Sequence, residues 1–161
     1  MGAGILPVTV YKGKLYFLFG KEVEDNKWGD FGGGTEHKES KFKTAIREGY
    51  EELDGFLGSQ HHVRELVNSN YVADFEHLSY KVILFKLDYD ERLPLYFKNH
   101  HQFIKKHFPE EIKKNNGLFE KSEIGWWSLE NTKKGKHKFH KFYRPIIDLI
   151  IKNAGYIRQN V

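Results

Sequence analysis

Gly33-Gly34-Thr35-Glu36-His37-Lys38-Glu39 is followed, after seven further residues, by Arg47-Glu48-Gly49-Tyr50-Glu51-Glu52. The first part is a backbone-permissive glycine loop. The second falls within a helix expected over Ser40 to Leu53, where Phe42, Ala45, Ile46, Gly49, Tyr50 and Leu53 recur at the spacing of one buried face. Ser40 supplies an N-cap and Gly55 follows the end. On that helix Glu48 and Glu52 lie one turn apart and point the same way, with Glu51 beside them. Like charges at these spacings repel by roughly 0.2–0.5 kcal/mol per exposed pair. A hard divalent cation turns that repulsion into attraction by taking carboxylate oxygens. The competing reading is a solvated acidic face, with Arg47 and Glu51 as an ordinary i,i+4 ion pair.

Working outward, Ile5 to Tyr11 and Leu15 to Phe19 read as a hairpin about Lys12-Gly13. A polar loop, Glu22 to Lys27, leads to Trp28 and Phe31. Tyr71 to Phe75 and Leu78 to Leu87 read as two strands with a tight link at Glu76-His77. Asp88 to Glu120 is less regular and predicts a basic helical insertion, with a helix around His101 to Lys114 that Pro109 interrupts or restarts. Ile124 to Leu129 reads as a last strand, and Phe142 to Ala154 as a closing amphipathic helix ended by Gly155, with Phe142, Ile146, Leu149 and Ile150 on its apolar side. Strands and helices interleave without regular β-α-β alternation, which predicts one domain over residues 1–161 built as an α/β/α sandwich on a mixed β-sheet.

Composition sets outer limits. The 161 residues suffice for one domain with a sizeable core, and 16% aromatic content argues against overall disorder. No apolar run is long enough to span a bilayer and the N-terminus has no signal-like pattern, so no membrane partner and a cytoplasmic location are expected. Cysteine is absent, which excludes thiolate metal sites and leaves oxygen or imidazole ligands; carboxylates favour Mg²⁺ or Mn²⁺. His100 and His101 lack any spacing that argues for zinc. A net charge of +4 suits an anionic substrate but is common in ordinary proteins.

The spacing Gly33, five residues, Glu39, seven residues, Arg47-Glu48, two residues, Glu51-Glu52 resembles the signature of the Nudix hydrolase family. The chain departs from it at two places. The glycine expected after Glu51-Glu52 is Asp54, with Gly55 one residue late, and the bulky apolar position after Arg47-Glu48 is Gly49. Trp28-Gly29-Asp30-Phe31-Gly32 also lacks the proline that many members have there. This variant resembles Nudix proteins of some large DNA viruses.

The resemblance implies a Nudix-like sandwich and divalent-metal-dependent cleavage of a diphosphate linkage in a nucleoside diphosphate derivative. It implies Glu48 and Glu52 as principal metal ligands, Glu51 as a further one, and the Gly33 carbonyl as an added ligand. Glu39 and Arg47 would form a supporting ion pair, and Gly34 belongs to the loop that meets the phosphates. The base that removes a proton from water varies across the family: a box glutamate, here Glu48, or a late-loop acid, here Glu120 or Glu123. Asp88, Asp90 and Glu91 are further metal contacts to weigh.

The box reads the diphosphate and not what is attached to it. Trp28, Phe31, Tyr71 and Trp126 are candidates to stack a base, against the plainer reading of each as core. Lys98 to Lys114 and the lysines from Lys133 to Lys138 raise capped RNA as an alternative substrate, against the plainer reading of two solvated surfaces. A nucleotide- or RNA-binding module without catalysis is the alternative of another class, and a homodimer is a further possible association.

Overall fold

The computed structural model describes Met1–Val161. In chain order the elements are β1 (Gly2–Tyr11), β2 (Lys14–Glu22), β3 (Trp28–Gly29), β4 (Phe31–Gly34), α1 (Lys41–Glu52), α2 (Gln60–Ser69), β5 (Tyr71–His77), β6 (Tyr80–Lys86), α3 (Leu93–His107), α4 (Pro109–Lys113), β7 (Lys121–Ser128), α5 (Leu129–Lys134), α6 (Arg144–Lys152) and α7 (Ala154–Asn160). No helix is long and apolar enough to cross a membrane.

The sheet is mixed, in the order β3-β2-β1-β6-β5, with β4 joined to β1 and β7 to β2. β1 runs parallel to β6 along one edge. Its other edge is shared: Gly2 to Ile5 pair with β4, and Val8 to Tyr11 pair with β2. The sheet therefore forks, and Asp30, between β3 and β4, sits at the fork.

Alternation along the strands divides the apolar residues between two layers. Ala3, Ile5, Leu18, Ile83, Phe85 and Ile124 form one core with Ala45, Ile46, Val63, Val67 and Phe97 from α1, α2 and α3. Leu6, Val8, Phe17, Phe19, Val82 and Leu84 form the other with Tyr143, Ile146, Ile147, Ile150 and Ile157 from the C-terminal helices. The result is the α/β/α sandwich on a mixed sheet that the sequence predicts.

Several boundaries differ from the sequence reading. The β5–β6 link is Leu78-Ser79 rather than Glu76-His77: the pairing runs out to His77 and Tyr80, and Leu78 sits at the tip with φ 52°. Leu78 is 87% exposed, so its apolar side chain misleads a pattern that assumes burial. α3 starts at Leu93, well before His101, because its buried stripe begins with Leu93 and Phe97 while Leu95 and Tyr96 face outward. Pro109 starts α4. The closing helix begins at Arg144, after a short 3-10 turn, leaving Phe142 exposed rather than on the apolar side. Gly155 does not end the helical run; it lies inside α7. Helices α2 and α5 have no counterpart in the sequence reading.

Candidate functional site

Helix α1 is capped by Ser40, whose hydroxyl accepts the Lys43 N–H. It packs across β1 and β4, and two glycines set how closely. A β-carbon on Gly49 would lie 2.3 Å from Ile5 Cδ1, and one on Gly33 would lie 2.6 Å from the Glu48 carboxylate. The helix thus descends onto the sheet at Gly49 and lays Glu48 against the glycine loop.

Arg47 ties these parts together. Its guanidinium donates to both Glu39 oxygens at 2.8 and 3.0 Å, to Glu48 at 2.8 Å, to Glu51 at 3.2 Å and to the Gly34 carbonyl at 2.9 Å. The hydrogen bond from Arg47 holds Glu39 down at about 2, against the opposing effect of desolvation. Burial pushes Glu48 up, although the Arg47 hydrogen bond opposes it. Arg47 therefore fixes the loop to the helix and neutralises part of the acidic face.

Deeper in the fork lies a second group. Glu52 is buried; one of its oxygens accepts the Gly32 N–H at 2.7 Å and lies 3.3 Å from Lys121 Nζ. Lys121, at the start of β7, is 1% exposed and also pairs with Glu22 at the end of β2. Burial lifts Glu52 well above the usual carboxylate range, with Lys121 opposing. Burial alone would lower Lys121, but Glu52 and Glu22 outweigh it and raise the lysine. Asp30, also buried, accepts the Tyr80 hydroxyl at 2.7 Å on one oxygen and has no partner on the other. Desolvation pushes it to about 7.

Carboxylate oxygens of Glu22, Glu52 and Glu120 all lie within 4.8 Å of one another. Three hard donors that close, with Glu48 beside them and only Lys121 as a buried counter-charge, fit a divalent cation such as Mg²⁺ or Mn²⁺. Glu120 lies at the exposed rim; partial desolvation and the Glu22 charge both raise it.

No family model matches the sequence, and no curated protein matches it. Solved structures do. An Ap4A hydrolase from C. elegans, in a binary complex, matches with a TM-score of 0.57 and 16% identity over 98% of this chain and 97% of that one. A bifunctional NMN adenylyltransferase/ADP ribose pyrophosphatase from Francisella tularensis, complexed with AMP and a manganese ion, gives a TM-score of 0.60 and 18% identity over 94% of this chain and 41% of that one. A Nudix hydrolase from M. smegmatis, RenU, gives 0.54 and 10% over 96% and 85%. This chain has the Nudix fold.

On that Nudix fold the box residues Glu39, Arg47, Glu48, Glu51 and Glu52 come together; Glu48 and Glu51 each accept a hydrogen bond from Arg47 and flank the Glu22–Glu52–Glu120 group rather than belonging to it. The Gly33 carbonyl sits close against Gly2 of β1. Gly34 offers its carbonyl to Arg47. Of the late-loop acids, Glu120 joins the cluster, whereas Glu123 points away on β7 and pairs with Lys21 at 3.7 Å.

The aromatic candidates separate. Phe31 is fully buried in the core and has no face free for a base. Tyr71 pairs with Phe85, at the opposite end of β5 from His77 and Tyr80, and hydrogen-bonds Asp74. Trp126 leans on Tyr89 and donates to the Asp90 carbonyl, toward α3. Asp90 itself caps the turn before α3 through the Arg92 N–H. With Glu91 it shares a recess with Tyr11, at the far end of β1 from Gly2, so the acids after β6 lie outside the cluster. Trp28 lies nearer, half-buried against Trp127 with Lys21 over its ring.

Sequence reasoning passes over Glu22, Asp30 and Lys121. Glu22 and Lys121 are 99 residues apart and meet only because β2 pairs with β7. Asp30 carries one local signal, a lone charge inside a glycine and aromatic run. A cavity of about 140 Å³ is lined by Glu22, Asp30, Lys121, His140, Phe142 and Tyr143. A wider recess on the other side of Phe142 is lined by Gly32, Gly33, Gly34 and Tyr80. Phe142 thus stands between two openings that flank the glycine loop.

Proposed function

We propose that the protein is a divalent-metal-dependent hydrolase that cleaves the diphosphate linkage of a nucleoside diphosphate derivative. The observation that carries this reading is the convergence of Glu22, Glu52 and Glu120 next to the Gly33–Glu48 contact on a Nudix fold. The manganese ion and AMP bound by the Francisella protein, and the Ap4A hydrolase activity named for the C. elegans one, support the same chemistry.

Glu48, Glu52, Glu22 and Glu120 are the residues that would hold Mg²⁺ or Mn²⁺. A bound divalent ion supplies charge neutralisation for the diphosphate and a water of lowered pKa. The chain's own groups do the rest. Glu120, at the exposed rim of the cluster, is the late-loop acid placed to accept the proton from the attacking water. Lys121 keeps a fixed positive charge beside Glu22 and Glu52, and Arg47 holds Glu48 and Glu51 in register with the loop. Phe142, exposed between the two openings and stacked on His140, is a better platform for a base than Phe31 or Tyr71.

The decisive experiment is a metal-dependent screen of nucleotide sugars, ADP-ribose, dinucleoside polyphosphates, oxidised nucleotides and capped RNA, with products identified by mass. Turnover of at least one diphosphate compound with Mg²⁺ or Mn²⁺ is expected, and Glu48→Gln and Glu52→Gln should each lower kcat by roughly a hundredfold or more. No turnover across the panel defeats the proposal. Cleavage confined to long capped RNA and weakening with salt would move the substrate to the RNA alternative.

A further inference from the structure

Asp54 stands where the Nudix signature has glycine, and its backbone has a left-handed φ of 51°. Glycine takes that conformation without strain; aspartate and asparagine take it at a smaller cost than other residues with a β-carbon. The side chain gives a reason for keeping aspartate there. Its Oδ1 accepts the Phe119 N–H at 2.7 Å, across 65 residues. The other oxygen, Oδ2, is buried and unpartnered, so the carboxylate is shielded from water while it makes this one bond.

The segment it holds has little of its own to keep its shape. Asn115, Gly117 and Phe119 all have positive φ, at 48°, 86° and 62°. One weak internal bond, from Leu118 N–H to Asn116 Oδ1 at 3.3 Å, spans it. It is instead pressed onto its neighbours. A β-carbon on Gly117 would lie 2.6 Å from the Glu51 carboxylate, and the Phe119 ring rests against His100 and His101 of α3 at 5.8 and 6.4 Å. The next residue is Glu120. Its carbonyl accepts the Val23 N–H at 2.9 Å, so the backbone is held on both sides of Glu120, by Asp54 at the N–H of the residue before it and by Val23 at its own carbonyl.

We propose that Asp54 is a positioning residue: it anchors the Gly117–Glu120 segment to the end of α1 so that the Glu120 carboxylate reaches Glu22 and Glu52. The inference rests on reading those carboxylates as a divalent-cation site. It also gives the departure from the family glycine a function: a latch gained in exchange for an unstrained helix end.

The test compares Asp54→Gly, Asp54→Asn and Glu120→Gln in the full chain by Mn²⁺ affinity, amide hydrogen exchange over residues 117–120 and thermal midpoint. Glycine relieves the backbone but removes the latch. D54G should therefore melt within a few degrees of the parent while its Phe119 amide exchanges faster and Mn²⁺ binds about tenfold or more weakly. Asparagine tolerates left-handed φ and retains an acceptor oxygen, so D54N should bind Mn²⁺ nearly as the parent does. Because Asp54 acts through Glu120, D54G should add little to the loss already present in E120Q. Should D54G not fold, D54S, whose shorter side chain cannot reach the Phe119 N–H, takes its place. Parent-like Mn²⁺ affinity in D54G, or full additivity with E120Q, overturns the proposal while leaving the metal site intact. A parent protein that binds no Mn²⁺ overturns both.

Discussion

Asp30 is a carboxylate in the one place where the sheet parts, and its second oxygen is buried without a partner. Its proton uptake has a definite sign. The folded value of about 7 lies above the unfolded 3.8, so between those limits the native state holds more protons than the unfolded chain. In metal-free protein the associated stability is present in full below pH 3.8 and is lost as pH rises through about 7, by about 4 kcal/mol at most. Asp30→Asn keeps an acceptor for Tyr80 and removes the titration. Metal-free D30N should match the parent near pH 4, exceed it near pH 8 and show a flatter profile between, measured by urea unfolding with a chelator present. Equal slopes for the two proteins would mean that Asp30 is already ionised in the fold. At this scale the sequence is most legible where partners are close along the chain. Glu39, Arg47 and Glu48 are named by spacing and do meet, because a loop and one helix turn carry them together. Glu22, Asp30 and Lys121 have no such local grammar, since strand pairing and a fork unite them.

Helix α1 is legible because cap, stripe and stop all agree, and its observed span of Lys41–Glu52 lies within the predicted one. Helices α2 and α5 are short and carry few buried residues, Val63 and Val67 in one and Thr132 in the other, so periodicity has little to register. Gly49 is an anomaly in the sequence and a fit in the structure. Interior glycine costs a helix on the order of 1 kcal/mol relative to alanine. Here a methyl group would lie 2.3 Å from Ile5 Cδ1 and 2.6 Å from its Cγ1, so packing against β1 outweighs propensity. Gly49→Ala should therefore destabilise the protein by about 1–3 kcal/mol despite its better helix propensity. Ile5→Val in the same chain should recover part of that loss, and a double-mutant cycle on thermal or urea midpoints measures the coupling. A neutral or stabilising G49A would show that Ile5 moves aside freely and that the glycine is not there for packing.

Across the whole molecule, one buried ammonium joins three elements that are remote in sequence. Lys121 of β7 reaches Glu22 of β2 and Glu52 of α1, and Asp30 at the fork adds a further carboxylate nearby. The sandwich is closed at this point by charge rather than by apolar contact, and the balance is incomplete without protons or another cation. Lys121→Met preserves much of the side chain's volume and removes the charge. Stranding buried carboxylates in this way should cost about 3–5 kcal/mol in a chelator. Mn²⁺ should narrow the deficit: an ion that binds only the folded state stabilises it by ~2.7 kcal/mol at a hundred times its dissociation constant, and a site relieved of a competing ammonium gains affinity. Parent and K121M are compared by urea unfolding with EDTA and again with saturating Mn²⁺. A gap that shrinks with metal means that Lys121 and the divalent ion share the task of neutralising one acidic centre. A gap of the same size in both conditions would mean that the ammonium stabilises the fold independently of the ion, and would separate the centre that closes the fold from the one that binds the ion.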